Sequence, residues 1–299
     1  MSNHRLIARF QGGIGNQLFE YAAARRMALH TNAELILDMR TGFEKDFKYG
    51  WSFGLSPFPI TGRPATNLES LKPLRSIQKG LIRFLDRSRP VEKKIYIKQK
   101  FGGFDSKILD LEPVKTRWLD GIWNSERYFS DRADLIYNDL QLDAEALEFD
   151  ISLCNNLKSK SSVAIHFRFF SKDIDYSQNI QHSYYLSAIK FVQSQISDCK
   201  FYVFSDDIDR AQALINSMGI DADIIESNFH KLSSLHDLWL MSNCRHIIAA
   251  NSTFSWWGAW LGEFAQARRL TIVPDPKVFD QPHWVLPDLL PDRWIKIGA

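Results

Sequence analysis

A chain of 299 residues has room for two domains of ordinary size, and 45% apolar against 24% charged residues is the balance of a globular protein, not a disordered one. A net charge of +2 argues against nucleic acid as a general partner. The three cysteines, Cys154, Cys199 and Cys244, are odd in number and too scattered for a disulfide framework or a zinc site, and no apolar run approaches the roughly 18 residues of a membrane span.

Each cysteine lies in or beside an apolar segment, so all three are expected as buried thiols of a reducing compartment. Met1-Ser2-Asn3-His4-Arg5 leads into a strand-like segment without a signal-peptide pattern. A cytoplasmic chain is expected, one that can lie against the inner face of a membrane. Nine Trp and 21 Phe are many for this length; aromatics fill cores and also form platforms for sugar rings and bases.

Leu6-Ile7-Ala8-Arg9-Phe10 is the first predicted strand, followed by Gln11-Gly12-Gly13-Ile14-Gly15-Asn16-Gln17 and a helix to about His30. Glycines between strand and helix let backbone approach a ligand closely. This is not the dinucleotide fingerprint, because Leu18 stands where the third glycine belongs. A tight turn alone would account for the glycines; the polar pair Asn16 and Gln17 at the helix start favours a ligand. Glu34–Asp38 is a second strand, and a βαβ start implies a parallel sheet. Residues 41–70, rich in Gly, Pro and aromatics, are expected to be irregular and to wall a binding cleft.

From Lys72 to Lys100, ten Lys and Arg stand against Asp86 and Glu92. Leu74, Ile77, Leu81, Phe84 and Leu85 fall on one helical face opposite that charge. Two readings stay open here. One is a solvated surface helix packed on its domain; the other is a basic amphipathic helix suited to an anionic membrane surface or an anionic acceptor. Arg117–Trp123 is a further strand, and Asn124 or Ser125 caps a helix after it. Residues 141–160 are polar with little periodicity, which places the domain boundary there: residues 1–150 and 151–299.

The second half opens with a strand, Ser162 to Phe170, that carries His166 and Arg168 toward its end. Charged groups at the carboxyl end of a parallel strand project where ligands bind in open α/β sheets. A buried arginine is costly unless paired, and a diphosphate suits it. A lone histidine such as His166 is more often a satisfied structural residue. Tyr184–Ser197 is a helix. Phe201–Phe204 is a strand ending in Ser205-Asp206-Asp207, whose carboxylates either cap the next helix or accept from a base or ribose. Short strands at Ile224-Ile225, Ile247–Ala249 and Leu270–Pro274 and a helix over Leu235–Met241 continue the pattern.

Between the strand at Ile247 and an aromatic helix lie Asn251, Ser252, Thr253 and Ser255. Such a bend is either an ordinary cap or an anion site, where free N–H groups, hydroxyls and the helix dipole favour negative charge. Three strand ends, at His166/Arg168, Asp206/Asp207 and Asn251–Thr253, are therefore expected to converge on one crevice. The fold class is α/β: two facing Rossmann-like domains with a cleft between them. That arrangement describes GT-B glycosyltransferases, some dehydrogenases and periplasmic-type binding proteins alike.

Gln11–Tyr21, Gly121–Phe129, Phe204–Asp207 and Asp237–Ser242 leading into Asn251–Leu261, taken together and in that order, resemble the bacterial α-1,2-fucosyltransferases of glycosyltransferase family 11. The resemblance implies a GT-B-like fold and inverting transfer of fucose from GDP-fucose, with no metal or other cofactor. The expected acceptor is galactose of an O-antigen or related lipopolysaccharide glycan, in lipid-linked form a reason for membrane contact through residues 72–100. It also implies diphosphate contacts from Arg168 with His166 beside it, from Gly13, Gly15 and Asn16, and from Ser252, Thr253 and Ser255, with Asp206 on the guanosine. The family's His-x-Arg-Arg-Gly-Asp becomes His166-Phe167-Arg168-Phe169-Phe170-Ser171 here, so the usual acid is lost. His166 and Asp173 remain as candidate bases. Transfer from another nucleotide sugar, and a non-catalytic nucleotide- or glycan-binding protein, are the alternative readings.

Overall fold

The computed structural model describes residues 4–72, 74–99, 103–142, 151–169, 182–226, 233–266, 268–278 and 287–298. The chain divides into two units, Met1–Leu142 with Leu286–Leu290, and Asp143–Val285 with Pro291–Ala299. The division falls earlier than the expected 150, and a piece of the tail belongs to the first unit.

In the first unit, β1 (His4–Arg9) leads through α1 (Ile14–His30) to β2 (Ala33–Asp38). There follow β3 (Arg63–Pro64), α2 (Arg75–Leu85), β4 (Tyr96–Lys98), β5 (Thr116–Asp120) and α3 (Ala133–Asp139). The strands form one parallel sheet in the order β3-β2-β1-β5-β4. Leu6, Ile7 and Ala8 of β1 are buried because the central strand is covered on both faces, which is why the run is continuously apolar instead of alternating. The helix expected after Asn124 is only a 3₁₀ turn, Glu126–Tyr128, capped by Ser125.

The second unit contains α4 (Ile151–Leu157), β6 (Ser162–Phe167), α5 (His182–Gln195), β7 (Lys200–Ser205) and α6 (Ile208–Met218). Next come β8 (Ala222–Ile224), α7 (Ser233–Asn243), β9 (His246–Ile248), α8 (Thr253–Ala265), β10 (Thr271–Pro274) and β11 (Ile295–Ile297). All six strands are parallel, in the order β11-β10-β9-β6-β7-β8. Counted from β6, that is the 3-2-1-4-5-6 order of a dinucleotide-binding sheet. The order reverses between β6 and β9, so the crevice for a ligand opens at their carboxyl ends.

The aromatic surplus is mostly core. Trp256, Trp257 and Trp260 of α8 are buried against one another, and Trp294 packs on Trp256 at 5.3 Å between ring centres. Trp51, stacked on Tyr49 at 4.4 Å, is instead partly exposed. The cysteines are free thiols, but only Cys244 is fully buried, and its thiol is pushed up to about 12 by that burial.

Candidate functional site at the strand ends

The register of the second sheet brings the expected strand ends side by side. Ile165 of β6 lies opposite Ile248 of β9, and Phe167 lies opposite Ser205 of β7. Arg168 and Asp206 are the next residues out on neighbouring strands. Arg168 Nη1 meets Asp206 at 2.9 Å, and the Phe169 N–H donates to the same carboxylate at 2.8 Å. Burial raises the Asp206 carboxyl above its usual range, and the Arg168 charge acts against that rise. Asp206 was expected on guanosine. Its two oxygens accept from the guanidinium and from the backbone behind it, which presents Arg168, while the residue itself stays exposed. Asp207 is the helix cap, accepting from the Arg210 N–H at 3.1 Å.

On the other side of β6, Ser252 caps α8 and accepts from the Phe254 N–H at 3.2 Å. Asn251, Ser252 and Thr253 are all partly exposed at this bend, and the first turn carries no acidic side chain. The helix start therefore presents positive dipole and donors with no carboxylate of its own to neutralise them.

Ser255 and His166 correct two expectations. Ser255 is fully buried; its hydroxyl accepts from the Ala250 N–H and is hydrogen-bonded to His166 Nδ1. It is not open to a phosphate. His166 is buried as well, and desolvation, helped by the Arg168 charge, lowers its pKa to about 3. Burial and the Ser255 hydrogen bond thus hold this imidazole in a structural position. The His166–Ser255 pair ties the end of β6 to the start of α8, fixing the two walls of the crevice. Asp173, the other expected base, and Phe170 and Ser171 lie outside the described residues.

In the first unit the sheet reverses order between β1 and β5, and the Gly-rich turn leaves β1 at that point. Gly12 has φ +71°, and a Cβ there would lie 2.9 Å from Asn16 Nδ2, so the turn is closed over by the Asn16 side chain. Gly13 is partly exposed and faces the Trp51 indole, 3.7 Å from where its Cβ would stand. Gly15 and Gln17 are buried, contrary to the expectation that both touch substrate. The Gln17 amide donates to the Gly12 and Ser52 carbonyls at 2.8 and 2.9 Å and accepts from the Gly54 N–H at 2.9 Å. It pins the Trp51 segment against the turn. Glu20, also buried, accepts from the Gln11 N–H at 2.9 Å, and desolvation raises its carboxyl well above the usual range.

Sequence reasoning missed the polar cluster beside this turn. Arg9 ends β1 and Asp120 ends β5, and they pair at 3.0 Å. Lys79 and the Tyr96 hydroxyl each donate to the second Asp120 oxygen at 2.6 Å. Burial raises the Asp120 carboxyl, but these donors outweigh it and hold it at about 2. The strand-end rule that marked Arg168 also marks Arg9 and Asp120; nothing local in the sequence brings Lys79 to them.

Two Rossmann-like sheets, one with a guanidinium and an anion-ready helix start at its switch point, define an α/β fold of the GT-B type. The chain belongs to glycosyl transferase family 11, whose model matches residues 7–272. It is a glycosyltransferase. It is 29% identical over 316 residues to an α-1,2-colitosyltransferase of Escherichia coli, covering 98% of each chain. It is 26% identical over 289 residues to the O-antigen biosynthesis glycosyltransferase WbnK of Escherichia coli, covering 85% of this chain and 89% of the relative. Among solved structures, NodZ α-1,6-fucosyltransferase soaked with GDP-fucose superposes with a TM-score of 0.51 at 17% identity, over 87% of this chain and 93% of that one. POFUT1 in complex with GDP-fucose gives 0.52 at 14% identity, over 93% and 99%. At such identities the structural likeness carries the fold alone.

Proposed function

We propose that the protein transfers fucose from GDP-fucose to a hydroxyl of an acceptor glycan, with inversion, forming an α-1,2 linkage to galactose in O-antigen-type polysaccharide. The observation that carries this reading is Arg168, held by Asp206 at the switch point next to the serine-capped start of α8. Support comes also from two structures of like fold that were solved with GDP-fucose, and from a relative named as an α-1,2-colitosyltransferase.

In this reaction the acceptor hydroxyl oxygen bonds to C1 of the sugar, its proton passing to water, as the bond from C1 to the diphosphate breaks. The electron pair leaves with GDP, and the transition state has oxocarbenium character. Negative charge grows on the diphosphate. Arg168, the N–H groups opening α8, and the Ser252 and Thr253 hydroxyls are the donors that meet it. In this reading the guanidinium and amides supply the neutralising charge without a divalent ion, and transfer is expected to survive EDTA. The Tyr49–Trp51 stack beside Gly13 supports the first unit as the acceptor side, since an exposed aromatic face suits a sugar ring.

A second reading takes colitose, which is fucose without its 3-hydroxyl, as the donor sugar; the colitosyltransferase that aligns over 98% of this chain favours it. The two differ by one polar contact. A site that hydrogen-bonds the 3-hydroxyl rejects the deoxy sugar by about 10⁴-fold, whereas an apolar pocket discriminates by only about a hundredfold. Purified protein incubated with GDP-fucose or GDP-colitose and a set of galactosides, followed by mass spectrometry and linkage analysis, separates them. Transfer of fucose to the 2-position of galactose is the expected result. Exclusive use of GDP-colitose would replace the donor, and no transfer from any guanosine donor would end the proposal.

A further inference from the structure

The helix α2 is mounted inside out. Its polar side faces the protein. Arg75 pairs with Asp38 at 3.2 Å, and Lys79 pairs with Asp120 at 2.6 Å. Asp86, at the C-terminal end, accepts from the N–H groups of Ile95 and Tyr96 at 2.8 and 2.7 Å. These residues recur at helical spacing and so occupy one face. The apolar residues occupy the opposite face and point to solvent: Ile77 is 68% exposed, Leu81 59% and Phe84 71%, with Leu74 and Leu85 exposed beside them. No residue of α2 is buried. The helix does pack on its own domain, but through its polar side, with the apolar face left to solvent.

A helix of 11 residues is marginal by itself in water, and this one has a glycine at its centre, Gly80. Three polar anchors hold it in a register that displays five large apolar side chains. A sequence needing only a solvated surface helix has no physical reason to put them outward. Exposed basic side chains accompany the display along the chain. Arg83 and Arg87 are exposed, as are Arg89, Lys93 and Lys98. The excess of positive charge over this segment, ten Lys and Arg against two acids, selects among surfaces that would cover an apolar face.

We infer that α2 is a membrane-surface helix, whose outward face of Leu74, Ile77, Leu81, Phe84 and Leu85 enters the headgroup boundary of a bilayer rich in anionic phospholipid. The apolar side chains insert, and the flanking guanidinium and ammonium groups stay at headgroup level and pair with phosphate. Because Lys79 and Arg75 anchor the helix through the strand-end residues Asp120 and Asp38, the bilayer is held at a fixed place on the first unit. The inference is independent of which donor sugar is used.

The test is flotation of the full chain with vesicles of phosphatidylcholine alone or mixed with phosphatidylglycerol. Binding to the mixed vesicles, weakened by added salt, is the expected result. The variant I77S/L81S/F84S should lose vesicle binding while keeping the thermal melting point and the activity on soluble acceptors, because these side chains take no part in the interior. R83Q/R87Q should bind the mixed vesicles roughly twentyfold more weakly. Failure of the wild-type chain to float, equal binding to both vesicle types, or full binding by the triple serine variant would overturn the inference. So would a wild-type dimer in sedimentation equilibrium that the triple variant turns into a monomer, since a second copy would then be what covers the face.

Discussion

Ser255 and His166 show how a residue can sit in the right motif and still do structural work. His166 Nδ1 reaches across from β6 to the Ser255 hydroxyl, and the same hydroxyl takes the Ala250 N–H at 3.3 Å. Burial, helped by the Arg168 charge, disfavours a second proton on that ring, and its pKa falls to about 3. The unfolded chain binds the proton near the ordinary pKa of about 6.5. Unfolding stability is therefore full above that value and is lost as pH falls from there toward the folded pKa. His246, lowered to about 4 chiefly by burial, acts in the same sense. H166N, whose Oδ1 can stand in for Nδ1, should flatten the fall in stability between pH 6 and 4, pH values within about two units of that ordinary pKa. Chemical denaturation across that range measures it, and an unchanged slope would mean that His166 is not a source of the linkage. The sequence showed which motif carried these residues; it did not show which hydroxyl faces the core. Ser252 and Ser255 differ by one helical turn, and only tertiary packing decides that the first is at the surface and the second beneath it.

Helix α8 owes its position to a close approach that the sequence records as glycine. A Cβ on Gly262 would lie 1.3 Å from Arg269 Nη1 and 2.8 Å from the Ser242 carbonyl. That guanidinium is not mobile, because it donates to the Ser242 and Met241 carbonyls at 2.9 Å each and so closes the end of α7. G262A should destabilise the protein by about 2–3 kcal/mol through overpacking, read from urea midpoints; a neutral effect would show that the guanidinium can move aside. The long elements were legible from apolar runs and caps, with β6, α5, β7 and α7 all within a few residues of their expected bounds. What was not legible are short pieces whose neighbours define them. β11 lies beyond Leu270–Pro274, where no element was expected, and it is a strand because Val273 of β10 offers it pairing opposite Lys296. α4 lies where the domain boundary was expected, for the half-buried Leu153 and Cys154 and the buried Leu157 are too few to make a period.

At the level of the whole chain, two sheets reverse their strand order, one between β1 and β5 and the other between β6 and β9. Each reversal sets a loop with chemistry at the carboxyl ends: the glycine turn with Arg9 and Asp120, and Arg168 with the start of α8. The α/β class and the strand-end residues of the second unit were readable because parallel strands end where ligands bind. The Asp120 cluster was not, because Lys79 and Tyr96 reach it from distant parts of the chain. The most direct test is calorimetric titration of GDP and of guanosine into wild-type protein and R168K. If Arg168 and the α8 start hold the diphosphate, wild type binds GDP far more tightly than guanosine. R168K should then lose about tenfold to a hundredfold in GDP affinity, because an ammonium does not replace the fork. Equal GDP affinity in the two proteins, or guanosine bound as tightly as GDP by the wild type, would contradict the account.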